Sequence, residues 1–145
     1  MEKTWDTILK WLAAAGGAVA GAFGGWTVTM TVLVAFMGAD YISGLIVAGM
    51  GKSLKTEGGG LSSKVGGQGL AKKGLMMLVV LIAALLDTAM GDAHVFRDAA
   101  CWFYIANEGL SLLENLAIAG VPFSPKIKAL LEQIKDKDGQ PPDTV

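Results

Sequence analysis

The polar residues of this chain that could carry chemistry lie in hydrophobic surroundings. Six of them follow one another in steps of four and three residues, which places them on one face of an α-helix. Lipid cannot surround a helix with such a face, so the face must turn toward other helices, a water-filled lumen or lipid headgroups. The six are Arg97, Cys101, Tyr104, Glu108, Ser111 and Asn115, and Asn107 and Glu114 flank the same face.

Asp40 is a second polar group in apolar sequence, near the middle of the run from Val28 to Met50. A charge at the centre of a membrane helix costs about 2.5–3.5 kcal/mol on insertion-based scales, so it is expected to face protein or water. Two interpretations stay open. Asp40 either clamps helices through hydrogen bonds, in a protonated or bonded form, or it lines an aqueous path, and the rarity of intramembrane acids favours the path.

The residue inventory argues against several classes of protein. One cysteine excludes an internal disulfide framework, and one histidine leaves no ligand set for zinc or haem. The formal net charge of −1 gives a nucleic-acid partner no electrostatic support. The glycine-rich stretch around residues 58–69 lacks the phosphate-loop spacing, and no nucleophile–base pair is evident, so Cys101 is interpreted as a packing residue. We therefore predict a protein that is not an enzyme and holds no cofactor.

Four apolar segments must position these residues. The chain has 145 residues, of which 52% are hydrophobic, too high a share for a soluble protein of this size. The second and third segments reach the length of about 20 residues that a bilayer needs, while the first and fourth either cross the membrane or lie along its surface. We predict an all-α polytopic membrane protein in which residues 1–120 form one membrane domain. The predicted helices cover about 8–26, 28–50, 70–90 and 96–119.

The lysine distribution favours four crossings. If all four segments cross, the eleven lysines fall on one side of the bilayer, which the positive-inside rule identifies as the cytoplasm. Both termini are then cytoplasmic, and the first segment is a retained helix rather than a cleaved signal peptide. Residues 51–69, rich in glycine and serine, are predicted to form a flexible cytoplasmic loop. Residues 121–145 are predicted to hold a short amphipathic cytoplasmic helix beginning at Ser124-Pro125, followed by a disordered tail.

Two further patterns concern the contacts between helices. Asp87 and Arg97 flank the short turn between the third and fourth segments, and we predict an ion pair that holds this outer hairpin closed. In the first segment Gly17, Gly21 and Gly25 recur every four residues, forming a smooth face that lets another helix approach closely. That face packs either against the second segment or, as the double row of glycines suggests, against other copies of the chain.

Three motifs in this order resemble the toxin-secretion/phage-lysis holin family, of the phage holin family 4 type, over roughly Val28 to Lys137. The first is Asp40-Tyr-Ile-Ser-Gly44, and the second runs from Ser62-Ser-Lys-Val-Gly66 to Gly69-Leu-Ala-Lys-Lys73. The third and most specific is Phe103-Tyr-Ile-Ala-Asn-Glu-Gly-Leu-Ser-Leu-Leu-Glu-Asn115, followed by Gly120-Val-Pro122. The glycine content of the first segment and the piece Glu57-Gly-Gly-Gly60 depart from the family pattern.

The resemblance implies a phage or prophage holin of the bacterial inner membrane. Such proteins self-associate in the lipid bilayer and open lesions through which an endolysin, or in some relatives a toxin, escapes. A small ion-channel or transporter subunit is the alternative from another class, although no internal repeat supports a transporter. An antiholin that regulates a partner holin is a further alternative. In each case Asp40, Tyr104 and the polar face from Asn107 to Asn115 are the candidates for lining a pore.

Overall fold

The computed structural model describes residues 1–91, 93–127 and 129. This part of the chain is helical and contains no strand, as the apolar segments predicted. A short 3-10 turn, Glu57–Gly59, interrupts the connection between the second and third helices. The four α-helices are α1 (Glu2–Ala22), α2 (Val28–Gly49), α3 (Ser63–Met90) and α4 (Val95–Ala119).

Helices α2, α3 and α4 form a three-helix bundle around an apolar core. Helix α4 lies between the other two and packs most extensively against α2. The core contains several methionine and aliphatic side chains that are less than a tenth exposed, together with Cys101. Its members are Phe23, Met30, Leu33, Met37, Met76, Val80, Cys101 and Ile105.

The outer surface of this bundle is also apolar. Large side chains of all three helices are half or more exposed, among them Ile46, Leu75, Ile82, Trp102 and Phe103. Two helices, Val28–Gly49 and Ser63–Met90, are long and apolar enough to cross a membrane by length and composition. The helices α1 and α4 do not meet that test within the described residues.

Two helix boundaries differ from the sequence prediction for reasons that lie in the contacts. Helix α3 begins at Ser63 rather than near residue 70, because Ser62 caps it and accepts a hydrogen bond from the Val65 N–H. The glycines taken for a flexible loop, Gly66 and Gly69, lie inside this helix. Both positions face the Tyr41 side chain, which a Cβ would meet at 3.4–3.8 Å, so Tyr41 of α2 lies against this part of α3.

Helix α1 ends at Ala22, earlier than predicted, in a turn that glycine makes possible. Gly24 and Gly25 have φ of +70° and +91°, the left-handed region that glycine occupies at little cost. The Gly24 N–H bonds to Gly21 O and the Gly25 N–H to Ala20 O, the pattern of a Schellman helix end. Gly25 therefore belongs to the turn, and assigning it to the helix-association face was wrong.

Almost all of α1 lies outside the bundle. Its residues from Lys3 to Val19 are all exposed, and a Cβ at Gly16, Gly17 or Gly21 would find no atom within 4 Å. The glycine face therefore does not pack against α2 in this structure. Only the end of the helix is anchored, by the buried Phe23 and by hydrogen bonds described below.

The connection between α2 and α3 is folded back on itself. The Ser53 N–H bonds to Gly59 O at 2.9 Å, and Thr56 Oγ1 donates to Gly60 O at 2.7 Å. A Cβ at Gly59 would come within 2.3 Å of Gly51 O, so this close backbone approach requires glycine. The segment predicted as a flexible loop is thus a hydrogen-bonded connection. The predicted C-terminal helix and tail lie outside the described residues, apart from 121–127 and 129.

Candidate functional site

A buried cluster of charges joins the three bundle helices. Lys73 Nζ of α3 donates to Asp40 Oδ2 of α2 at 2.7 Å and also to Glu108 Oε2 of α4. The side chains of Lys73, Asp40 and Glu108 are only 12%, 11% and 4% exposed. One ammonium group therefore holds two carboxylates that come from different helices.

Amide and hydroxyl groups satisfy the rest of this cluster. Asn115 Nδ2 donates to Asp40 Oδ1 at 3.1 Å, to the Asp40 carbonyl oxygen and to Ser43 Oγ. Ser43 Oγ in turn donates to the Asp40 carbonyl oxygen. Within the described chain, every fully buried side-chain nitrogen or oxygen has a hydrogen-bond partner, as the cost of burying unpaired polar groups demands. We call Asp40, Ser43, Lys73, Glu108 and Asn115 the central cluster.

Helical spacing explains why Lys73 is inside while its neighbour is outside. Lys73 precedes Met76, Val80 and Asp87 in steps of three, four and seven, so it shares the buried face of α3. Lys72 points away from that face and is exposed. The sequence prediction counted both among the eleven lysines on the cytoplasmic side and assigned Lys73 no contact inside the bundle. The spacing of Lys73 to the buried residues of α3 was the signal that could have found it.

A cleft of about 310 Å³ leads to the central cluster from the end of the bundle that carries the α2–α3 connection. Residues of that connection, from Ser53 to Thr56, line its mouth, and Ser111 and Glu114 of α4 line its side. Lys73, Asp40 and Glu108 are also among the lining residues. The cluster is thus dry on its core side and borders an open space on the other.

A second group of charges lies at the opposite ends of α3 and α4. Both carboxylate oxygens of Asp87 accept backbone hydrogen bonds, from the Phe96 N–H at 2.9 Å and from the Arg97 N–H at 2.8 Å. His94, the residue before α4, makes no capping bond with its side chain. Asp87 therefore caps the first turn of α4 from the preceding helix and complements the positive end of the helix dipole.

The guanidinium group of Arg97 has other partners. Its Nη1 donates to the carbonyl oxygens of Phe23, Gly24 and Gly25 at 2.9–3.3 Å, and its Nε bonds Asp98 at 3.4 Å. The predicted side-chain ion pair between Asp87 and Arg97 was wrong, because each charge is bound to the end of a helix instead. We call Asp87 and Arg97, with the carbonyls of residues 23–25, the terminal cluster.

The remaining predicted residues are spread along α4. Ser111 and Glu114 border the cleft, and Tyr104 is half-buried against the core. Asn107 is half-buried as well, while Cys101 is fully buried in the core. The apolar side of α4 faces outward through Phe103 and Leu110. The polar face is therefore turned into the bundle, with its deepest groups in the central cluster.

The central cluster keeps its charges paired with one another inside the bundle. The central cluster combines one ammonium with two carboxylates, so its formal charge is −1, and it presents no nucleophile beside a base. Within the described residues, no group of three or more metal-binding side chains could hold an ion. The charges are paired because an unpaired charge in such surroundings is costly.

Comparisons with known proteins identify the family. The sequence pattern of the bacteriophage holin family matches residues 17–136. A probable holin of Bacillus phage phi105 is 39% identical over 101 residues, 70% of each chain. An uncharacterized protein of Clostridium perfringens is 36% identical over 89% of this chain and 94% of its own length. An uncharacterized protein of Listeria monocytogenes is 38% identical over 93% of this chain and 92% of its own. No solved structure matches. The chain therefore belongs to the bacteriophage holin family.

Proposed function

We propose that this protein is a phage or prophage holin that opens lesions in the bacterial cytoplasmic membrane and releases an endolysin or a toxin. The observation that carries the proposal is the distribution of polarity in the bundle. Asp40, Glu108 and Asn115 are buried between helices, while the outer surface of the same helices is apolar. A bundle of this kind can reside in lipid with its polar surface stored inside, and a rearrangement can turn that surface toward water.

The same distribution supports four membrane crossings with both termini in the cytoplasm. Arg97 and Glu108 of α4 are buried in the bundle, Asp98 at the start of the helix is partly exposed, and the outward side is apolar through Phe103 and Leu110. The positive-inside argument survives the burial of Lys73, because the other ten lysines keep their places along the sequence.

Lesion formation requires copies of the chain to associate. The face of α1 that carries Gly17 and Gly21 meets no other helix of its own chain, which leaves it available to a second copy. After association, Asp40 and the Glu108/Ser111/Asn115 face would line the opening. Collapse of the membrane potential would bias that step, since the field acts at about 2.3 kcal/mol per charge per 100 mV on charges that move through it.

Expression in bacteria with a cytoplasmic endolysin tests the function directly. We expect growth to continue, then to end in abrupt lysis, and an uncoupler to advance the onset. Gradual or absent lysis, both with and without the uncoupler, would contradict the assignment as a holin. Ion leakage without escape of the folded endolysin would indicate a channel, and delayed lysis when a known holin is co-expressed would indicate an antiholin.

The pore-lining assignment has its own test. Replacing both Asp40 and Glu108 by alanine should change the time of lysis, because it removes the two carboxylates of the polar face and leaves Lys73 without them. Leu110→Ala, a large-to-small change on the outward side of α4, serves as the control. Unchanged lysis time and unchanged membrane insertion in the double variant would contradict the assignment.

A further inference from the structure

The central cluster contains a residue to which neither the sequence motifs nor the family comparison gives a role. Lys73 is the one group in it that contacts both carboxylates, and so the one side chain that bonds to α2 and to α4 at once. Asn115 also joins α4 to α2, but it carries no charge. If Lys73 withdraws, Asp40 and Glu108 remain as two buried anions on facing helices.

The balance of charges in the central cluster makes Lys73 the residue whose loss is most costly. The cluster holds two carboxylates and one ammonium, so loss of a carboxylate leaves a balanced pair, whereas loss of the lysine leaves a charge of −2. Two like charges in a low-dielectric interior repel strongly, and nothing else in the cluster is cationic. The packing of α4 on α2 therefore depends on Lys73 far more than on either acid alone.

The cleft gives Lys73 a way to leave. It reaches the ammonium group from the end of the bundle where Lys72 is exposed, and Lys73 itself lines it. A lysine side chain is long and readily moves its charged end toward water while its methylene groups stay in apolar surroundings. Withdrawal into the cleft thus removes the ammonium from its partners without carrying a charge through the core.

We infer that Lys73 is the positioning residue that keeps the bundle closed, and that its withdrawal into the cleft allows α4 to separate from α2. This inference rests on the proposed function, since it assigns a control element to the rearrangement that opens the lesion. It concerns a residue that touches no cargo and acts only through Asp40 and Glu108. Its prediction is specific to charge: closure fails when the ammonium is lost and returns when the repelling carboxylates are lost as well.

Cys101 offers a built-in measure of closure that does not depend on lysis. It is the single cysteine of the chain and is fully buried among core residues of α2 and α3. Separation of α4 from α2 exposes its thiol to a water-soluble maleimide. The labelling rate in isolated membranes, from cells that express the protein without an endolysin, therefore reports the open fraction.

Four variants decide the question. We expect Lys73→Met to raise the labelling rate of Cys101 by about tenfold or more, the shift that follows when a buried charge cluster loses its compensating charge. Lys73→Arg keeps the charge and should label close to the wild-type rate. Lys72→Met is the matched control, because Lys72 is exposed and lines the same cleft but is not the residue that bonds Asp40 and Glu108. The triple variant K73M/D40N/E108Q removes all three charges and should return labelling to the wild-type rate.

The inference is overturned if Lys73→Met labels no faster than Lys72→Met, or if the triple variant labels as fast as Lys73→Met. If Lys73→Met does not accumulate in the membrane, the triple variant decides: its accumulation with slow labelling supports charge repulsion, and its absence contradicts it. Time of lysis with an endolysin is scored in parallel. If labelling follows the expected pattern but neither the wild type nor any variant causes lysis, the proposed function is contradicted and the role of Lys73 stands. If lysis occurs but all variants label at the same rate, the role of Lys73 is contradicted and the proposed function stands.

Discussion

The two charge clusters of this protein are built from similar residues but have different partners. In the terminal cluster, Asp87 and Arg97 bind backbone groups at the ends of α4 and α1. In the central cluster, Lys73, Asp40 and Glu108 bind one another from three helices. The first kind of contact persists wherever those helix ends stay together, while the second exists only when α2, α3 and α4 keep their relative positions.

The difference indicates which contacts can change during a rearrangement. Asp87 and Arg97 bind backbone groups at helix ends, which need partners from outside their own helix, so the terminal cluster is expected to survive opening. Side chains that bind one another can exchange partners for water or for groups of another copy. We therefore expect the terminal cluster to determine stability and the central cluster to determine timing.

The largest effect is expected from Arg97→Met. It leaves the carbonyl oxygens of residues 23–25 without their donor and the end of α1 without its main polar attachment. Loss of one member of a buried charged group typically costs about 3–5 kcal/mol of stability. Unfolding in detergent micelles, followed by circular dichroism, should reveal this loss, and Arg97→Lys should recover part of it. A variant as stable as the wild type would contradict the assigned role of the terminal cluster.

Asn115→Ala tests the neutral part of the central cluster. It removes the amide group that donates hydrogen bonds to Asp40 and Ser43, and it leaves Lys73 in place. Unfolding free energy should fall by about 1–3 kcal/mol, the range for an unsatisfied buried acceptor, and lysis should begin earlier. Leu110→Ala, a change on the outward side of the same helix, is the control. Equal lysis times for the two variants would indicate that Asn115 has only a packing role.

Asp87→Ala is expected to have a more local effect. The carboxylate satisfies the Phe96 and Arg97 amides at the start of α4, and the first turn of a helix is sensitive to such a cap. Hydrogen exchange at these two amides should become about tenfold faster, the size of a typical capping loss. Asp87→Asn keeps one acceptor oxygen, so its exchange rates at these amides should lie between those of the wild type and of Asp87→Ala. The lysis time should stay close to that of the wild type, in contrast to Asn115→Ala.

The contrast between the clusters also explains which features of the site could be predicted from the sequence alone. The polar face of α4 was predictable because helical periodicity is a local property, and Glu108 and Asn115 do lie in the cluster. The partner was not, because Lys73 follows Lys72 and lies close to a glycine-rich stretch typical of a loop. In the structure that stretch belongs to α3, which Ser62 caps and against which Tyr41 lies. The Asp87–Arg97 pair failed for a related reason, since complementary charges near a turn do not reveal that helix ends offer them closer partners.

The smallest effect is expected from Glu108→Gln, and it separates the two clusters most sharply. Lys73 keeps Asp40 as its counter-charge, and the glutamine oxygen can still accept from the ammonium, so the central cluster becomes neutral. Replacing a member of a buried ion cluster in a way that leaves the remaining charges paired is often neutral for stability. We expect an unfolding free energy near that of the wild type and lysis no earlier than wild type, measured beside Lys73→Met in the same strain. Earlier lysis in Glu108→Gln would mean that closure of the bundle depends on Glu108 rather than on Lys73. That result would contradict the inference that the single ammonium group matters more than either of its two carboxylates.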